Sequence, residues 1–129
     1  NNRPPLYRSM STEAEQQMND GDDERSNHYK VLALYKFLLP ELPSREPLEQ
    51  LKADLVQLFA THEVKGTILL ATEGINGTIC MPKQHSNAIG DYFRNHELWR
   101  GCRMRWSDVI GKKPIFHRSF VKIKKEIVS

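Results

Sequence analysis

Residues 65–81 read KGTILLATEGINGTICM, and the fold follows from how this stretch is read. Two apolar runs, 67–71 and 78–81, flank Thr72-Glu73-Gly74-Ile75-Asn76-Gly77. β-Branched residues favour strands, while glycine and a preceding Asn accept the positive φ of a tight connection. The pattern predicts a β-hairpin whose turn spans 72–77, with one carboxylate, Glu73, and one amide, Asn76, near the tip. Such a tip is either architecture or a place to hold a site.

Upstream, residues 29–39 (YKVLALYKFLL) are about a strand long before Pro40 and Pro43 interrupt them. Lys30 and Lys36 share one parity, and Val31, Ala33, Tyr35 and Phe37 make the other wholly apolar, which predicts an interior strand. Ser44 or Glu46 then opens a helix with Pro47 in its first turn. Leu48, Leu51, Leu55, Leu58 and Phe59 recur at helical spacing and mark one apolar face running to about His62.

Downstream, Ala88, Ile89, Tyr92 and Phe93 line a second, weaker helix that ends near His96. Cys102, Met104 and Trp106 alternate with Arg103, Arg105 and Ser107, a strand with one basic face. Residues 120–128 predict a last strand, with Val121, Ile123 and Ile127 facing one way and Phe120, Lys122 and Lys124 the other; Lys125 suits an edge position. The order strand, helix, two strands, helix, one or two strands predicts an α+β, ferredoxin-like split βαβ sandwich. In it an antiparallel sheet carries two helices on one face and leaves the other open for a partner.

Residues 1–28 contain Pro4-Pro5, few apolar side chains and a run rich in Asp, and are read as a flexible N-terminal extension to a domain of residues 29–129. No apolar run reaches the ~20 residues that span a bilayer, and no signal peptide is visible, so a cytoplasmic location is expected. Cys80 and Cys102 have no metal or framework spacing and read as small buried hydrophobes. The five histidines form no ligand pattern, so neither metal nor cofactor is expected.

The net charge of +3 is unevenly spread: residues 100–129 hold nine Lys or Arg against Asp108 and Glu126. Arg103, Arg105, Lys112, Lys113, Lys122, Lys124 and Lys125, with Trp106, Phe116 and Phe120 close in sequence, combine phosphate-seeking charge with ring faces that suit RNA. If the two basic strands pair or flank one sheet, the surface is continuous. The alternative is an edge strand kept soluble by lysines. A third possibility is acylphosphatase-type hydrolysis by Arg45 and Asn76, although residues 40–47 offer no glycine for a phosphate-cradling loop.

The motif EGING (Glu73 to Gly77), preceded by KGTILL, and the closing KKEIV (Lys124 to Val128) resemble the N-terminal domain of the rhodanese-like tRNA uridine hydroxylase family. The resemblance covers residues 29–129. It implies an accessory ferredoxin-like, acylphosphatase-shaped domain followed by a rhodanese domain that carries the catalytic cysteine. It also implies tRNA and that downstream domain as partners, with Glu73, Gly74, Asn76 and Gly77 as the family turn. No catalytic residue is expected within this chain, and the full-length protein is expected to be a tRNA hydroxylase, an oxidoreductase, or a sulfurtransferase relative.

Overall fold

The computed structural model describes residues 28–111 and 115–127. By internal contacts the chain divides into a unit of residues 29–109 and 114–129 and a unit of residues 1–28 and 110–113. The extension expected for residues 1–28 lies, but for His28, outside the described residues.

Along the chain come β1 (His28–Phe37), α1 (Glu46–His62), β2 (Lys65–Ala71), β3 (Gly74–Pro82), α2 (Ser86–Asn95), β4 (Arg103–Ile110) and β5 (Ser119–Ile123). The sheet order is β4-β1-β3-β2-β5. Its first four strands have the ferredoxin-like arrangement, and β1 lies in the interior. The fifth strand adds to the β2 edge in parallel, so the sheet is mixed rather than wholly antiparallel. A parallel partner needs a crossover connection, which the chain between β2 and β5 supplies.

The leucine stripe of α1 is buried as its spacing requires, at Leu48, Leu51, Leu55 and Phe59. These side chains form one core with Ile89 and Phe93 of α2, with Trp99, and with Leu32, Leu34, Ile68, Leu70, Ile75, Ile79, Met81 and Val121 from the sheet. Because strand side chains alternate, these sheet residues define the helix-covered face. The β1 parity with lysines at its ends is therefore the one turned to the helices. Its lysines reach out at either end: Lys30 pairs with Asp108 at 3.0 Å, and Lys36 Nζ donates to the carbonyls of Leu98 and Arg100 at 2.9 and 2.7 Å. The wholly apolar parity, Val31, Ala33, Tyr35 and Phe37, lies on the face without helices.

The hairpin connection is shorter than its glycines suggest. Ala71 is registered against Gly74, leaving only Thr72 and Glu73 as the turn, so Asn76 and Gly77 are strand residues. The positive φ of 147° falls on Gly74, directly after the turn; a Cβ there would run into the Lys36 carbonyl oxygen of the neighbouring strand. Gly77 has another role, because a Cβ would meet the Thr67 carbonyl oxygen and come within 2.6 Å of Ile68 Cδ1. β2 and β3 approach closely only because that atom is missing.

The last strand also ends earlier than its alternation suggests. β5 stops at Ile123, and the chain turns so that Ile127 is fully buried apart from the main core.

Candidate nucleic-acid interface

On the face without helices the alternation brings Val31, Ala33, Tyr35 and Phe37 of β1 beside Asn76, Thr78 and Cys80 of β3, then Thr67 and Leu69 of β2, then Phe120 and Lys122 of β5. On β4, Met104 and Trp106 pack against the core, which turns Arg103 and Arg105 to this same open face. Tyr35 and Phe37 meet edge to face with centroids 5.1 Å apart, and Phe37 is 42% exposed. At the far edge Phe120 is 43% exposed, and Lys122 Nζ sits 5.2 Å from its ring centroid.

The face is bracketed at both ends. At one end Cys80 is fully buried, and the backbone of Ile115 hydrogen-bonds its thiol. Burial pushes that thiol up, an effect the Ile115 bond only opposes. The Cys102 thiol is likewise raised by burial, with nearby Lys36 opposing.

At the other end the hairpin holds the chain's closing segment. Glu73 Oε1 accepts the Ile127 N–H at 2.7 Å, and Asn76 Nδ2 donates to the Ile127 carbonyl at 2.8 Å. Two side chains thus satisfy both backbone groups of one residue, as a neighbouring strand would. The Lys124 N–H donates to the Leu70 carbonyl at 2.7 Å, which starts the segment toward this clip. Between the two brackets lies a shallow cavity of about 280 Å³, lined by Thr67, Leu69, Asn76, Gly77, Thr78 and Phe116.

The residues singled out in the sequence divide as follows. Arg103 and Arg105 lie on one edge strand and Lys122 on the opposite one, with β1, β3 and β2 between them. Four strand spacings separate the edges by about 19 Å, so the two basic strands do not pair into one adjoining patch. They flank the apolar face instead. Lys124 and Lys125 are exposed just beyond β5, while Lys112 and Lys113 lie outside the described residues. Trp106, expected beside these charges, is half-buried against the core. Tyr35 and Phe37, read only as strand residues, are the rings the open face presents. Their unbroken apolar parity was the available sign.

Glu73 and Asn76 are committed to Ile127 and do not form a free catalytic pair. The same bond uses one N–H of the amide that an acylphosphatase-type mechanism with Arg45 would use. His62 and His85 meet through their Nδ1 atoms at 2.9 Å, but among the described residues no group of three or more His, Cys, Asp or Glu could hold a metal ion.

The UPF0176 acylphosphatase like domain model matches residues 29–127. The chain belongs to this family. Both motifs from which the resemblance was drawn lie within the match, except for Val128 at its end. Relatives of the UPF0176 domain bear the name tRNA uridine(34) hydroxylase. One from Albidiferax ferrireducens is 41% identical over 101 residues, which is 78% of this chain and 30% of the relative. Another from Prochlorococcus marinus is 36% identical over 117 residues, 87% of this chain and 34% of the relative. The chain therefore spans about a third of the length of the curated relatives it matches. The BlrP1 BLUF structure, at a TM-score of 0.51 over 75% of this chain and 64% of its own, is 8% identical and shares the fold alone. No helix among the described residues is long and apolar enough to cross a membrane.

Proposed function

We propose that this UPF0176 domain is the RNA-contacting, substrate-positioning module of a cytoplasmic protein that hydroxylates tRNA at uridine 34, the chemistry residing in a downstream rhodanese domain. The observation that carries the reading is the open sheet face. Tyr35, Phe37 and Phe120 offer ring surfaces on it, and it is flanked by Arg103 and Arg105 on one side and Lys122 on the other. Aromatic rings on a sheet stack unpaired bases, and flanking cations neutralise the phosphates on either side. The names of the relatives support tRNA as the polyanion. Residues 29–129 form the module on this reading, and residues 1–28 precede it as an extension.

The hairpin end supports the rhodanese domain as a second partner. There the Leu38 N–H donates to the Glu73 carbonyl at 2.8 Å, and the next residue, Leu39, leaves 92% of its surface exposed for an apolar contact.

Titration of unmodified tRNA against salt tests the main reading. Binding is expected to weaken linearly in log–log form as salt rises, with a smaller slope after Arg103→Glu and Arg105→Glu. Absence of binding at low salt, or a slope unmoved by both reversals, rejects it.

A further inference from the structure

His62 and His85 form a pair that the RNA-contacting reading leaves unused. His62 lies in the last turn of α1, and His85 ends the single turn Lys83–His85 that leads into α2. Their rings cross at 68° with centroids 4.9 Å apart, and the two Nδ1 atoms stand at 2.9 Å, partly exposed to solvent. A nitrogen pair at that distance shares one proton, one imidazole donating and the other accepting. Glu63, whose carboxylate is 3.8 Å from His85 Nε2, favours the His85 proton on that nitrogen and leaves its Nδ1 bare. The negative C-terminal end of α1 adds to that carboxylate, so the surroundings of the pair favour positive charge.

We infer that His62 and His85 form a binding site for a divalent transition cation of the nickel or copper type, held by the two Nδ1 atoms. Two metal–imidazole bonds of about 2.05 Å at a right angle hold their nitrogens about 2.9 Å apart, whereas tetrahedral bonds spread them to about 3.3 Å. The observed separation matches the right-angled ligand pairs of tetragonal and octahedral sites and is short for zinc. Rotation of each ring about its soft Cβ–Cγ torsion aims both lone pairs at the shared point. Among the described residues no third His, Cys, Asp or Glu joins them in a metal-holding group, so water supplies the remaining positions. Binding needs no net loss of a proton: the His62 ring stays neutral, and its proton passes through solvent from Nδ1 to Nε2. Magnesium, a hard cation that takes oxygen ligands, does not suit two imidazoles. The site stands apart from the RNA-contacting reading and does not depend on it.

Nickel chloride titrated into the 129-residue chain tests this, with magnesium chloride as the comparison. One equivalent of nickel is expected to bind and magnesium none, and nickel alone should raise the urea midpoint at unchanged slope, because it binds the folded chain. His62→Gln and His85→Gln should each weaken nickel binding at least about tenfold, since losing a ligand costs no less than losing a group that merely orients one. His117→Gln, at an exposed position, should leave it unchanged. In the unaltered chain, nickel below one equivalent is paramagnetic and should broaden the ring-proton signals of His62 and His85 before those of His28, His96 and His117. That readout does not depend on how the variants fold. Broadening that begins at another histidine, or affinity that survives both substitutions, overturns the site, as does an absence of nickel binding.

Discussion

Asn76 and Gly77 show how much a single dipeptide depends on its surroundings. An Asn-Gly pair between two apolar runs signals a turn, because both residues tolerate positive φ. Here the backbone turns at Thr72 and Glu73, and the pair continues the strand. Gly77 is required because β2 presses against it and Asn76 because its amide reaches Ile127, neither of which a local pattern reports. Gly77→Ala should accordingly lower stability by about 1–3 kcal/mol, the usual cost of overpacking a filled interior. A shift of the urea midpoint at unchanged slope would show it. Unchanged stability would mean the strands separate freely at that point.

At the scale of elements, α1 was fully legible and β5 only half so. The stripe from Leu48 to Phe59 is a local periodicity, and burial follows from it wherever the helix lands. The alternation Val121, Ile123, Ile127 looks equally regular, yet the strand ends at Ile123 because the hairpin supplies alternative partners for Ile127. Those partners are a carboxylate and an amide, so removing one should loosen the segment without unfolding the sheet. Glu73→Ala is expected to speed amide hydrogen exchange at Ile127 by about fivefold or more, from loss of a hydrogen bond to a charged acceptor. Amides in β3 such as Ile79 should be unaffected. Equal acceleration throughout the sheet would show that the clip supports the whole domain.

For the whole molecule, topology decides what the basic residues can do. Counting charge places the positive excess in residues 100–129, but it does not reveal that β4 and β5 enter the sheet at opposite edges. Over about 19 Å the two groups interact weakly at physiological salt, where screening acts within ~8 Å. Charge reversal at Arg103 and Arg105 and reversal at Lys122 should therefore reduce RNA affinity independently, with the combined variant showing the sum of the two free-energy losses to within about 0.5 kcal/mol. A combined effect no larger than either alone would place the RNA across one edge only.

What the amino-acid sequence determined by itself was the set of elements, their order, the ferredoxin-like class and the two family motifs. These rest on local periodicity, turn chemistry and runs of residue types that a chain carries wherever it folds. Only the tertiary structure decided that the apolar parity of β1 faces away from the helices, and that the basic strands flank the aromatic face rather than adjoin. It alone showed that Glu73 and Asn76 of one motif grip the backbone of Ile127 in the other. These depend on pairing between residues far apart in sequence, which burial and backbone hydrogen bonding settle together across the whole sheet.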